Sequence, residues 1–412
     1  MTASIESSIA MSDTQGAGFE QDSQKISAEE REDRQDRTTF LRRRTAFSGL
    51  AAACFLLACL GGLFLFAVFH WPNTNVLVYY FIVRPAFVWF GALGPLLAIG
   101  VFGVRFRWFV LGCFVFGLLF LSSSEVLHIA RPFPARAREE FAAAHMGYAS
   151  ARKEGTTDEL DRMPLRLVTW NIAGSRFGAE GAVERLARMA PDIIFLQEAG
   201  GGEKLSPALM RHEFFRGYHL GSGGRKLISR FPLERISNVA LHKYRADVWR
   251  LNVAGKPVTC VNVHLSRHDL RTQLVRGFTW AGLHKAVVRT RRELSNLQLT
   301  LNRYVRRGTV IVAGDFNLPP RYPELLDATR GWKECFAKRG FGWGGTAPAK
   351  LPALRVDMIF VPADAQVYYA GAVPTGLSDH YMMFAEVMLP LREAAQESEL
   401  PSSSPPKAGL SP

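Results

Sequence analysis

Paired cysteines are missing from this chain. Of its five, Cys54, Cys59 and Cys113 lie inside apolar runs and only Cys260 and Cys335 fall elsewhere, which excludes a disulfide framework and a thiolate metal site. Cys260 sits in PVTCVNVHL, a buried-strand pattern in which a free thiol packs as a small hydrophobe. Internal repeats are also absent, as are an RNA-binding module and an aromatic platform for stacking bases. Excess positive charge is lacking from residues 1–162, with 16 Lys+Arg against 16 Asp+Glu, and from 391–412, with 2 against 3. The overall +13 therefore comes from residues 163–390, where 32 Lys+Arg face 18 Asp+Glu, a local excess of +14. With 29 Phe and 48% hydrophobic residues among 412, the chain is neither wholly disordered nor fibrous.

The apolar residues are concentrated early. Residues 1–45 carry few large apolar side chains and read as a disordered tail on the cytoplasmic side. AFSGLAAACFLLACLGGLFLFAVF (46–69) then runs for 24 residues without a charge, where a bilayer core needs about 20. AFVWFGALGPLLAIGVFGV (86–104) and WFVLGCFVFGLLFLSSSEVLHIA (108–130) read as second and third spans. Arg42–Arg44 before the first span and Arg105 and Arg107 before the third fall on one side, which the positive-inside rule makes cytoplasmic. Three spans then put everything after residue 130 outside, although Arg131, Arg136 and Arg138 oppose that orientation. The expected organisation continues with a linker (131–162), a catalytic domain (163–390) and a disordered Pro/Ser-rich tail (391–412).

From Met163 onward, short β-rich runs alternate with amphipathic stretches. LRLVTW, DIIFLQ, KLISR, DVWRLNV, PVTCVNVHL, TVIVAGD, VDMIFV and MFAEVML read as strands; AEGAVERLARMA and RTRRELSNLQLTLNRYV read as helices. The order predicts an α/β domain with a mixed sheet, or two packed sheets, covered by helices. Polar residues follow the apolar runs: Asn171 after LRLVTW, Glu198 after DIIFLQ, His264 after VTCVNV, and Asp315 and Asn317 in GDFN. Asp357 opens a later strand, and Asp379 and His380 precede the last. Strand ends in an α/β sheet converge on one edge that a ligand can reach. Hard oxygen donors without thiolates suit Mg²⁺ or Mn²⁺ rather than Zn²⁺.

VTWNIAG, DIIFLQE, LISRFPL, NVHLS, VAGDFN, RVDMIFV and LSDH together resemble the endonuclease/exonuclease/phosphatase superfamily, the metal-dependent phosphodiesterases that include pancreatic deoxyribonuclease, abasic-site endonucleases, neutral sphingomyelinases and inositol-polyphosphate phosphatases. The resemblance implies a four-layer α/β sandwich, two central β-sheets flanked by helices. It also implies roles. Glu198 and Asn171, assisted by Asp379, would hold a divalent ion. His380 would be the general base, oriented by Asp357, which should raise its pKa towards working pH. Asp315 and Asn317 would contact the scissile phosphate or position the nucleophile, and His264 would donate to a phosphoryl oxygen or the leaving group. Abasic-site endonucleases usually have an acid where this chain has Ala173 and a tyrosine where it has His264; the histidine resembles the deoxyribonuclease and sphingomyelinase branches. The stretch 340–357 and the apolar spans resemble bacterial membrane-tethered members, including the vancomycin-resistance type. With the three spans and the orientation from the positive-inside rule, the expectation is a multi-pass bacterial inner-membrane protein with an extracytoplasmic catalytic domain.

The basic domain, with Arg267 after NVHLS and Arg355 before Asp357 as candidate substrate-binding residues, admits nucleic-acid phosphates or a lipid phosphate at an anionic surface. A membrane tether raises the effective concentration of lipid substrates. The expected activity is therefore Mg²⁺- or Mn²⁺-dependent hydrolysis of a lipid-type phosphodiester or pyrophosphate. The alternatives are a tethered endonuclease or exonuclease, and a non-catalytic phosphate-binding scaffold.

Overall fold

The computed structural model of the chain describes residues Gln35, His128, 131–153, 161–175, 178–201, 204–236, 245–267, 280–350, 352 and 354–393. All but Gln35 belong to one compact unit. The helices are α1 (Ala135–Lys153), α2 (Ala179–Arg188), α3 (Leu205–Arg211), α4 (Trp280–Val305), α5 (Pro323–Ala328) and α6 (Cys335–Arg339). The strands are β1 (Arg162–Asn171), β2 (Ile193–Gln197), β3 (His219–Leu220), β4 (Lys226–Ser229), β5 (Leu233–Ile236), β6 (Ala246–Val253), β7 (Lys256–His264), β8 (Thr309–Asp315), β9 (Trp332–Glu334), β10 (Asp357–Pro362), β11 (Gln366–Val373) and β12 (Met382–Pro390).

Two six-stranded sheets result, in the orders β11-β12-β1-β2-β4-β3 and β5-β6-β7-β8-β10-β9. Each is antiparallel except for one central parallel pair, β1 with β2 and β7 with β8. Each parallel pair is joined by a crossover through a helix, α2 in the first sheet and α4 in the second, as parallel strands require. The expected strands form, and the expected two packed mixed sheets flanked by helices are found. Cys260 and Cys335 are both free and buried.

Strand periodicity explains the layering. Side chains alternate faces, so Leu165 and Leu167 of β1, Ile193 and Phe195 of β2, Val258 and Cys260 of β7, and Ile311 and Ala313 of β8 fill the space between the sheets. The residues between them, Val168, Trp170, Ile194 and Leu196, pack outward with α2 and α3. Val261, Val263, Val310 and Val312 likewise pack outward with α4 and α5.

The segment expected to be a linker, 131–162, is corrected by the structure. Within it α1 runs for 19 residues and docks on the first sheet. Phe141 (1% exposed) and Tyr148 are buried, His145 pairs with the buried Asp192 at 3.1 Å, and the Arg138 guanidinium lies 5.0 Å from the Tyr369 ring centroid. The three predicted spans lie outside the described residues except for His128, which is buried with its ring edge-on to Phe336 at 5.2 Å. No helix among the described residues is long and apolar enough to cross a membrane. The N-terminal tail, Gln35 apart, and the C-terminal tail beyond 393 also lie outside them.

If α1 is part of the folded unit, Phe141→Ala will lower unfolding free energy by about 3 kcal/mol in denaturant titrations. Met146→Ala on the exposed face of the same helix (65% exposed) will stay within about 0.5 kcal/mol of wild type. Equal and negligible effects would return the segment to the status of a tether.

Candidate active site

The inter-sheet face of each central strand grades from apolar to polar toward one edge. On β1 the inward series is Leu165, Leu167, Thr169, Asn171; on β7 it is Val258, Cys260, Asn262, His264; on β8 it is Ile311, Ala313, Asp315. Parallel pairing sets His264 beside Asp315, and antiparallel pairing sets Asp357 opposite Asp315. β12 runs antiparallel to β1 with Met383 against Thr169, so the segment just before it, with Ser378 and His380, arrives at the same edge.

Asp315 is the centre of what gathers there. Its Oδ1 accepts the Asn317 backbone N–H at 2.9 Å, and its Oδ2 accepts from the amides of Asn171 (3.0 Å) and Asn317 (3.2 Å). His264 Nε2 lies 3.8 Å from Asp315 Oδ2 and 3.8 Å from Glu198 Oε1. Asn171 Nδ2 also donates to Glu198 at 3.1 Å. His380 Nδ1 is 2.8 Å from Asp357 Oδ2, and its Nε2 faces Asp315 Oδ2 at 3.9 Å. Asp315, Asp357, His380 and Asn171 are all nearly excluded from solvent.

The backbone is bent to deliver these groups. Glu198 (φ 53) and Asn317 (φ 50) occupy the left-handed region, which disfavours side chains other than glycine and clusters at functional sites. Gly200, two residues after Glu198, approaches Gly224 so closely that an added Cβ would lie 3.0 Å from its Cα. Ala199 N–H donates to Gly224 O at 2.7 Å. Gly314, before Asp315, has φ 152, and a Cβ there would collide with the Val263 carbonyl.

The charges oppose one another. Burial would lower the His380 pKa, but the carboxylates of Asp357 and Asp315, the hydrogen bond to Asp357 and the charge of Asp379 together raise it to about 10. The sequence led us to expect a smaller rise. Burial, then the charge of Asp357, pushes the Asp315 carboxyl above its ordinary value against the pull of His380, His264 and the Asn171 amide. Burial holds His264 below its ordinary value despite Asp315 and Glu198.

The donors that converge on one point are Asp315, Asp357 and His380, whose ligand atoms lie within 4.8 Å of one another. Asp357 Oδ1 is buried without a hydrogen-bond partner, as expected of an acceptor awaiting a cation. The expected ligands Asn171, Glu198 and Asp379 are distributed differently. The Asn171 Oδ1 accepts the Ala173 N–H at 3.0 Å, so what Asn171 offers the carboxylates is its NH₂ group. Glu198 stands on the open side of that amide, and Asp379 is exposed. Arg267 is exposed beyond the end of β7. Arg355 is a correction: it is 3% exposed, ion-paired with Glu334 and stacked 4.9 Å from the Phe336 centroid. The pull of Glu334 and the aromatic ring turn it into the domain.

Several supporting groups escaped the sequence reading. Gln197 Nε2 donates to Asn262 Oδ1 at 2.8 Å, joining the two sheets beneath the site. The buried Glu293 of α4 accepts from both the backbone N–H (3.0 Å) and the hydroxyl of Ser266, two residues past His264. Ser378 donates to Asn171 O at 2.6 Å and accepts from His380 N–H at 3.1 Å. Their common signal is weak: Gln197, Asn262 and Ser378 sit inside motifs whose other residues carry the chemistry, and Glu293 lies in a helix with no motif of its own.

The model of the Endonuclease/Exonuclease/phosphatase family matches residues 168–380. Among solved structures, D. rerio TDP2 complexed with a single-strand DNA product is 17% identical over 54% of this chain and 98% of its own, with a TM-score of 0.41. An endonuclease/exonuclease/phosphatase family protein from Bacteroides thetaiotaomicron is 14% identical over 56% and 99%, with a TM-score of 0.41. Truncated Caenorhabditis elegans TDP2 is 15% identical over 55% and 98%, with a TM-score of 0.42. No curated protein matches the chain.

Two outcomes follow from the geometry. Gly314→Ala will cost about 2 kcal/mol or more in denaturant titrations, because the Val263 carbonyl must move. In EDTA, the ion pair formed by protonated His380 contributes stability in full below the unfolded pKa of about 6.5 and loses it as pH rises through about 10. Melting temperature should therefore fall across that window, and His380→Gln should flatten the fall.

Proposed function

The chain belongs to the endonuclease/exonuclease/phosphatase family, whose members are metal-dependent hydrolases of phosphoric ester bonds, and we propose that this one is a membrane-anchored hydrolase of a lipid-type phosphodiester or pyrophosphate. The observation that carries the hydrolytic reading is the His380–Asp357 pair at 2.8 Å, with Nε2 left facing Asp315.

Asp357 fixes the ring and stabilises the imidazolium, so Nε2 is the atom that takes a proton from the attacking water. His264, kept neutral by burial, donates to a phosphoryl oxygen or to the leaving group. Asn171 and Asn317 hold Asp315 in place. Asp315 and the unpartnered Oδ1 of Asp357 would hold a divalent cation, leaving Nε2 of His380 for the proton, and Glu198, on the open side of the Asn171 amide, would add a carboxylate from there; these oxygen donors suit Mg²⁺ or Mn²⁺. When bound, the ion neutralises phosphate charge and stabilises the leaving oxygen. Asp379 adds charge at the rim, and Arg267 remains the candidate contact for substrate phosphate.

The lipid preference is supported by the uncharged run 46–69 and the +14 balance of residues 163–390. It implies an inner-membrane protein with its catalytic domain outside. A tethered nuclease would draw on the same basic surface, and a phosphate-binding scaffold on the same fold.

Plasmid DNA, RNA, sphingomyelin and prenyl pyrophosphates, each offered to the full chain with Mg²⁺ or Mn²⁺, separate these readings. We expect hydrolysis of one of the lipid esters, stopped by EDTA and reduced about 10²–10⁴-fold by His380→Ala or Asp357→Asn. Hydrolysis of nucleic acid alone identifies a nuclease, and none at all a scaffold. Protease protection of whole cells will report which side the domain occupies, with cleavage from outside expected.

A further inference from the structure

We infer that Thr346 is the positioning residue for the Asp357–His380 pair, setting its separation through backbone amides without touching substrate. The inference deepens the hydrolase reading and rests on it for its kinetic test.

The two members of the pair come from different sheets: Asp357 opens β10 in the second, while His380 precedes β12 in the first. Ladder register fixes positions within a sheet and does not set the spacing across the cleft between sheets. Thr346 does. Its side chain is fully buried, at 0% exposure, and Oγ1 accepts the backbone N–H groups of Val356 (3.1 Å) and Asp357 (3.2 Å). Its carbonyl accepts the N–H of Tyr381, the residue after His380, at 2.7 Å. Its own N–H donates to Leu354 O at 2.7 Å, and Ala349 N–H donates to Asp379 O at 2.7 Å. Residues 346–349 are thereby fastened to the backbone that carries the aspartate and to the backbone on both sides of the histidine. The loop has little slack, since a Cβ on the preceding Gly345 would collide with the Pro352 carbonyl.

The hydroxyl is the replaceable part of this arrangement. Thr346→Val keeps the volume but leaves two buried N–H groups without an acceptor, and satisfying them requires the start of β10 to shift. Thr346→Ser keeps the acceptor.

The test uses the full chain in detergent with Mn²⁺ and bis(p-nitrophenyl) phosphate as probe. We expect Thr346→Val to lower kcat about 10–100-fold with KM within about threefold of wild type, and Thr346→Ser to restore kcat to within about threefold. Thr329→Val is the matched control, removing a buried hydroxyl that donates to Leu325 O at 2.7 Å in α5; it should lose stability and keep kcat. Independently of turnover, the downfield Nδ1 proton of His380 in EDTA-treated protein should be present in wild type and Thr346→Ser, and lost or moved in Thr346→Val. Unchanged kcat in Thr346→Val, an equal loss in Thr329→Val, failure of serine to rescue, or an unmoved Nδ1 proton would overturn the assignment. If wild type and His380→Ala are equally inert toward the probe and toward every ester offered, the hydrolase reading fails instead, and the Nδ1 proton alone decides the role of Thr346.

Discussion

Two carboxylates held against each other away from water are the constraint around which this domain is built. Asp315 and Asp357 face one another across β8 and β10, at 1% and 0% exposure. Like charges opposite one another in a ladder destabilise it, and burial of an ionised group costs more still unless it is paired. The fold answers with donors: the Asn171 amide, the Asn317 amide and backbone N–H, and the His380 ring. One acceptor, Asp357 Oδ1, is left without a partner. That remaining imbalance is what fits the cluster for a divalent cation, while the charges of Asp357 and Asp315 and the hydrogen bond to Asp357 outweigh burial and raise the His380 pKa to about 10.

Supplying those donors takes both sheets. Asn171 and His380 come from the first, Asp315, Asn317 and Asp357 from the second. A shift of one residue in any central strand would turn its polar terminus toward the helices and its outward apolar residues toward the cleft. The alternation that fills the core therefore also aims the site. Between core and site the Gln197–Asn262 contact, with Asn262 further bonded to the carbonyls of Leu196 and Lys226, links one sheet to the other. Polar side chains thus tie the two sheets together just below the chemistry.

This division decides what could be read in advance. The central strands were legible because they are long apolar runs ending in a polar residue, and the endpoints Asn171, Glu198, His264, Asp315 and His380 follow directly. β3, β5, β9 and β11 were not, since the first three are only two to four residues long and QVYYAGAV lacks a polar terminus. α1 escaped notice because its docking face uses few apolar residues, Phe141 and Tyr148, helped by the pairing of His145 with Asp192. Which end of the Asn171 amide faces the carboxylates was not legible, because one-dimensional sequence does not carry it. Arg355 erred because its partner Glu334 is 21 residues away. Thr346, Ser378 and Glu293 act on backbone N–H and C=O groups, which every residue possesses and no motif marks.

The wall behind Asp357 shows how far such indirect support extends. Arg355, two residues before Asp357, lies over Phe336 and pairs with Glu334, whose carboxylate also caps α6 by accepting from Phe336 and Ala337 N–H. The C-terminal carbonyls of that short helix would lack intrahelical partners. Arg131 satisfies two of them, donating to Ala337 O at 3.0 Å and Gly340 O at 3.3 Å, while the His128 ring closes against Phe336 and its backbone carbonyl accepts from Gly342 N–H at 3.2 Å. The chain entering the domain is thus packed into the layer that holds Arg355, and through it the start of β10. His128 and Arg131 belong to the support of the catalytic edge, because without them the helix that carries Phe336 would end on unsatisfied carbonyls beside a buried guanidinium.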